Sequence, residues 1–323
     1  MPGRASARPI LVRVPATLGN LAGSDAGAAL ALDASMNVKV TPRSDRQVRV
    51  RYFGENGDRV PRDESNLIVQ AMRSALSARQ EPFMGAGIEV YSSIPIGAGL
   101  GAGAAAVWAG LIAANSLFDL YLDEKLLFAL GATLEARKNN LHAAWFGGLA
   151  VLTGAGEAYR TAFVPDGLEL AIVIPSVVED AHSTQAHFPA ARHGAAIRAD
   201  SLRRAAALEK FLANGCCAGW LDVDDSPESL RVRVPGLDEA LRVQIPGLPG
   251  AFACGSGPGV AIVSKNGFSE GIEAVCHCFS HRGIRTRVLE VRSSPLGARD
   301  WNSMYSLERK LRVGPLSVVA AAC

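Results

Sequence analysis

Apolar and polar positions alternate from Arg8 to Pro15 (RPILVRVP), the period-two pattern of a strand with one buried face. A Gly/Ala/Asn loop, Ala16 to Asp33, follows and re-enters the sheet as LALDASMNVKV. A further strand is predicted over Gln47 to Phe53. Helical spacing then appears from Asn66 to Leu76, with Leu67, Val69, Ala71, Met72 and Leu76 on one side, and again from Glu124 to Ala136. That helix runs out at Lys138-Asn139-Asn140, and HAAWFGGLAVLTG reads as a strand entered through a double glycine. The pattern resets through TGAGEAY, Thr153 to Tyr159, which marks a domain seam. Beyond it the order is strand (Leu168 to Ser176), polar loop, helix (Ala195 to Asn214), a second helix (Val234 to Val243), two strands joined by GAFACGSGPGVAIVS, helix (Ser269 to His281) and strand (RTRVLEV). Split β-α-β-β-α-β order predicts a ferredoxin-like α/β sandwich in the second half. The fold class is α+β, with domains at 1–157 and 158–323.

Between Val90 and Phe118 there is no charged residue. Pro95 and four alternating glycines, Gly97, Gly99, Gly101 and Gly103, occupy the first half of this stretch, and the helical remainder from Ala104 is too short to span a bilayer. A buried helix entered through a Gly-rich loop accounts for the pattern. Such a loop lets main-chain N–H groups converge on a ligand, and the helix behind it adds its positive end, which together make a phosphate cradle. Gly99-Leu-Gly101-Ala-Gly103-Ala104 also fits a dinucleotide fingerprint, but its acid, Asp119, closes the helix itself rather than a second strand. A Walker loop is excluded by the missing Lys-Ser/Thr.

Composition changes this picture little. The chain has 323 residues, 20% charged, with a net charge of +2, which gives no support to a nucleic-acid partner. The N-terminus is broken by Arg4, Arg8 and Arg13, so no secretory leader or membrane segment is predicted and a cytoplasmic protein is expected. The six cysteines are scattered. Cys276-His-Cys278 lacks a second ligand pair, so reduced thiols are expected rather than a metal site.

Three Gly-rich stretches carry a resemblance. VRVPATLGNLAGSDAGAALALD, IPIGAGLGAGAAA and CGSGPGVAIV resemble, in order and interval, the motifs of the GHMP kinase superfamily, and within it homoserine kinase. LEARKNNLHAAWFGG and HSTQAHFP fit two intervening motifs. The resemblance implies a two-domain, ATP- and Mg2+-dependent kinase of a small hydroxylated amino acid, with its active site in the cleft between the domains, and a homodimer. On it, Pro95, Gly97, Gly99, Leu100, Gly101, Ala102, Gly103 and Ala104 would cradle ATP. Glu135 would hold magnesium, a hard cation suited to a carboxylate. Arg137 and Asn140 would act in transfer. Asn20, Asp25, Asn140, Thr184, His187, Arg231, Gly255, Ser256 and Gly257 would line the substrate side.

The sequence also departs from the motifs. Ala102-Gly103 stands where the family has paired serines, one of which offers its hydroxyl to magnesium. Asn139 replaces an aspartate, Arg137-Lys138 replace His-Pro, the loop after Asn20 is two residues shorter, and the carboxylate-binding arginines are out of register. The resemblance therefore leaves two readings open: a kinase with an altered first shell, or a homologue in which the cleft binds a ligand or performs another reaction.

Overall fold

The computed structural model describes residues 9–19, 21, 27–152, 159–162, 164, 168–176, 234–244, 251–255, 257–264, 267 and 269–302. Strands β1 (Ile10–Gly19) and β2 (Ala28–Pro42) pair antiparallel along their length, with a register shift between Pro15 and Ala16. Pro15 has no N–H to give the ladder, so a break there costs little. β1 continues through Ala16–Gly19, which the sequence pattern assigned to a loop: these residues carry no polar side chain except Thr17, and all are buried.

The free side of β2 is shared. Its residues 36–42 pair with β4 (Ala86–Ser92), and residues 28–30 pair with β5 (Leu149–Leu152), which in turn pairs with β6 (Tyr159–Ala162). β3 (Val48–Phe53) lies parallel to β4 through the crossover helix α1 (Leu67–Ser77), whose N-cap Asn66 accepts from the Ile68 N–H at 3.0 Å. Three further helices complete this half: α2 (Ala102–Leu117), α3 (Glu124–Leu134) and α4 (Lys138–Phe146). α2 is buried on nearly every side, which is why its sequence has no polar face. Trp108 at its centre donates to the Leu141 carbonyl at 2.9 Å and stacks on Trp145, so α2 and α4 are held together by one side chain.

In the second half, β7 (Glu169–Pro175), β8 (Ala251–Ala253), β9 (Val260–Ser264) and β10 (Thr286–Arg292) form an antiparallel sheet in the order β10-β7-β9-β8. With α5 (Leu237–Leu241) and α6 (Ser269–Ser280), this is the strand order of the predicted ferredoxin-like sandwich. Period-two alternation serves both faces. Ala171, Val173, Val260 and Ile262 pack on the helices, while Leu170, Ile172, Ala261 and Val263 join the core of the first half. The two sheets therefore share one continuous core.

Two expectations change. The strand predicted from His142 onward is helix α4 up to Phe146, and only Leu149–Leu152 is strand. The polar run Lys138-Asn139-Asn140 begins this helix rather than ending the previous one. β6, which follows the expected seam, pairs with β5 in the first sheet. The helix expected over 195–214 and most of the seam at 153–158 lie outside the described residues. Among the described residues no helix is long and apolar enough to cross a membrane.

Candidate active site

The Gly-rich loop turns between β4 and α2. Gly97, Gly99 and Gly101 all have positive φ (86°, 85° and 71°), while the intervening Ala98 and Leu100 side chains are buried beneath them. This alternation is what spacing glycine with an apolar residue achieves: the side chains anchor the loop and the main chain is left facing outward. Gly101 is the N-cap of α2, in the left-handed region, and makes no side-chain capping bond. The first turn of α2 also holds no acidic residue. Its leading N–H groups have no capping side chain of their own, so the positive end of a sixteen-residue helix opens on the turn.

Glu135 comes to this end from α3. The helix stops at Leu134, and Glu135 takes extended angles (φ −127°, ψ 112°), which swing its side chain off the helix face. Its Oε2 lies 2.6 Å from where a Cβ on Gly103 would stand, in the first turn of α2. The side chain is only 10% exposed. Oε1 accepts from the Arg137 N–H at 3.0 Å and lies 3.9 Å from Arg137 Nη1, so both the main chain and the guanidinium of Arg137 fix the carboxylate. The structure thus brings Glu135 beside the first turn of α2, with Arg137 against its carboxylate.

Asn140 is buried in the first turn of α4. Its Oδ1 has no hydrogen-bond partner and sits 2.6 Å from where a Cβ on Gly19 would be, at the end of β1 and one residue before Asn20. Asn139, the departure from the family aspartate, faces the other way. Its amide donates to the Ala28 carbonyl at 3.1 Å and its Oδ1 accepts the Asn140 N–H at 2.9 Å. A carboxylate could accept the second bond but not donate the first, so the amide ties α4 to β2.

The third stretch closes over the first. Backbone atoms of Cys254 and Gly257 lie directly against Gly99, where any Cβ would collide with them, and Gly255 faces the Gly99 carbonyl. The turn is closed by Gly257 N–H to Cys254 O at 2.9 Å and Cys254 N–H to Gly259 O at 2.8 Å. Cys254 is fully buried and burial pushes its thiol pKa up, so it packs rather than reacts. Gly255 and Gly257 therefore meet the Gly-rich turn itself. Asn20, Asp25, Thr184, His187, Arg231 and Ser256 lie outside the described residues.

Two residues of this region were not singled out from the sequence. Thr17 is fully buried, its N–H donates to the Leu100 carbonyl at 3.1 Å, and its hydroxyl, pressed on Gly101, has no partner. Arg59, in the short 3-10 turn Gly57–Arg59, brings Nη1 to 3.9 Å from the Cβ position of Gly97. Thr17 stands inside the VRVPAT motif, but no sequence signal marks its hydroxyl as lacking a partner. Arg59 sits in a polar turn with no sequence signal.

The fold is mixed α+β, with two sheets sharing one core and a glycine turn opening a buried helix beside a carboxylate, and it is similar to that of the GHMP kinases. Residues 66–148, from the cap of α1 to the start of β5, match the family model described as GHMP kinases N terminal domain. Its relatives by sequence include homoserine kinases. That of Moorella thermoacetica is 27% identical over 296 residues, 89% of this chain and 98% of the relative. That of Clavibacter michiganensis is 34% identical over 177 residues, but this match spans only 55% of the relative's length and 53% of this chain. The fold is shared with the crystal structure of homoserine kinase from Cytophaga hutchinsonii, at a TM-score of 0.67 and 23% identity over 91% of this chain and 98% of that one. The crystal structure of Lactococcus lactis galactokinase complexed with galactose gives a TM-score of 0.62 at 14% identity, covering 90% of this chain and 94% of that one.

Proposed function

We propose that the chain is an ATP- and Mg2+-dependent kinase that phosphorylates the hydroxyl of homoserine or a related hydroxylated amino acid. The observation that carries this reading is the Glu135 carboxylate aimed at the first turn of α2, directly beside a main-chain cradle. The donor set fits the groups the reaction needs. The open N–H groups of α2 and the turn suit phosphate oxygens, and a nearly buried carboxylate with one oxygen free of protein bonds in the structure suits a hard cation. Bound there, Mg2+ would supply charge neutralisation at the transferring phosphate.

The chain's own residues then do the positioning. Gly97 to Gly103 hold the triphosphate through main-chain N–H groups. Arg137 holds Glu135 in place and adds a cation beside it. Asn140 Oδ1, an acceptor without a partner, is suited to receive the O–H of the attacking alcohol. The residues Asn20, Asp25, Thr184, His187 and Arg231 complete the reading on the amino-acid side by their place in the motifs.

A second reading, a ligand-binding homologue without transfer, is favoured by one feature: Ala102-Gly103 brings no hydroxyl to the cradle. The test is ADP release from Mg-ATP with a panel of homoserine, threonine, serine and hydroxylated analogues. The kinase reading expects turnover with at least one of them, lowered about 10²-fold or more in Glu135→Ala. ATP binding with no ADP from any alcohol would establish the second reading, and turnover unaffected by Glu135→Ala would remove the carboxylate from the site.

A further inference from the structure

The cysteines of the CHCFSH run, residues 276–281, make no metal site, but its two histidines are placed for one. We propose that His277 and His281, one turn apart at the C-terminal end of α6, form a two-histidine site for a divalent transition-metal cation such as Zn2+ or Ni2+. The site is independent of the nucleotide reading above.

The backbone places the pair. The His281 N–H donates to the His277 carbonyl at 3.1 Å, the bond an α-helix makes between residues four apart, so helical geometry continues through His281 although α6 itself ends at Ser280. Residues at that spacing share a helix face, and both histidines are exposed on it. Their rings already touch, with centroids 4.1 Å apart and planes at 75°. Imidazole nitrogens bind zinc at about 2.0–2.1 Å, so two rings this close can each turn a nitrogen to one ion without movement of the backbone. Histidines at this spacing on one helix face are a recurrent zinc-binding pair.

The cysteines are engaged elsewhere. The Thr286 hydroxyl donates to Cys276 Sγ at 3.4 Å, the Cys278 thiol donates to the Ala274 carbonyl at 3.3 Å, and both side chains pack against the core under α6. No group of three metal-ligating side chains comes together among the described residues. The cation would therefore have two imidazole ligands and complete its shell with water. That suits ions of borderline softness, and not Mg2+ or Ca2+, whose shells are built from oxygen. The local field favours a cation as well. The last turn of a helix is its negative end, Glu273 is exposed one turn earlier on the same face, and the neighbouring positive charge, Arg282, is paired with Glu239 of α5. α6 covers the face of the second sheet opposite the one that joins the core of the first half, so the pair lies apart from Glu135.

Titration calorimetry of the full chain with ZnCl2, and separately with NiCl2, tests this in the presence of excess Mg2+, which occupies any site built for a hard cation. Wild type is expected to bind both ions. His277→Ala and His281→Ala should each weaken that binding at least ~10-fold, because one imidazole alone loses the second, intramolecular contact. Cys278→Ser, which keeps a donor for the Ala274 carbonyl, should leave it unchanged. Both histidines are exposed, and thermal melting in metal-free buffer verifies that each variant is folded. Equal affinity in wild type and the two folded histidine variants would overturn the proposal and leave an aromatic contact only. No binding of either ion by wild type in excess Mg2+ would overturn it too, as would binding lost in Cys278→Ser and kept in His277→Ala.

Discussion

Asn139 illustrates how a single residue can mislead when read against a motif alone. Its replacement of an aspartate looks like the loss of a catalytic charge, yet its amide bridges the Ala28 carbonyl and the Asn140 N–H inside the fold. Asn139→Asp should therefore destabilise rather than activate: a buried acceptor would be set against the Ala28 carbonyl, at a cost of about 1–3 kcal/mol measured by denaturant unfolding. Gain of turnover without loss of stability would refute this. The alternating glycines were legible in the sequence because their spacing carries their geometry, and Glu135 through its place in the resemblance to the family motif. Thr17 was not, since its significance is an absent partner, which only coordinates reveal. Nor was Arg59, which reaches Gly97 from a turn some forty positions earlier.

At the scale of elements, most strands and helices followed from periodicity, and α4 is the instructive exception. Its nine residues hold Leu141, Ala143, Ala144, Trp145 and Phe146, buried or packed against the core, together with buried Asn139 and Asn140. A helix wedged between α2, α3 and β1 leaves only the narrow stripe Lys138, His142 and Phe146 toward solvent and buries two asparagines, so the 3.6-residue alternation of polar and apolar positions is masked, and the double glycine after it looks like strand punctuation. α4 also carries a pH-sensitive group. His142 lies among Phe128, Phe146 and Tyr159, and burial lowers its pKa from 6.5 to about 4, partly opposed by the Glu124 carboxylate. The unfolded chain binds that proton more readily between these values. Stability is therefore fully present above pH 6.5 and is lost as pH falls toward 4. Replacing His142 with Phe should flatten this part of the stability–pH curve, as followed by urea midpoints between pH 4 and 7.

Across the whole molecule, the two halves are fastened by the residues that follow β10. Ser293 bridges to Leu32, the Ser294 N–H donates to the Ala31 carbonyl at 2.8 Å, and the Gly148 N–H donates to the Ser294 carbonyl at 2.8 Å. Further on, the Arg13 guanidinium lies over the Trp301 ring at 4.1 Å, and the Asn302 side-chain amide both accepts from the Arg13 N–H (3.3 Å) and donates to its carbonyl (3.2 Å). None of this was legible beforehand, because nothing in SSPLGARDWN marks it as belonging to the first sheet. Trp301→Ala should lower stability by about 2–4 kcal/mol, the loss of a large packed ring with its cation–π contact. A smaller loss in thermal unfolding would mean the clasp is held by its main-chain bonds alone.

Asn302 serves Arg13 as a neighbouring strand would, offering one donor and one acceptor to the edge of β1 that pairs with no other strand among the described residues. That partner lies 289 positions downstream. During synthesis, then, β1 must wait for a segment translated much later, its rim bare to other chains meanwhile. Removing Ser293 to Asn302 should accordingly show itself first as clumping of nascent product.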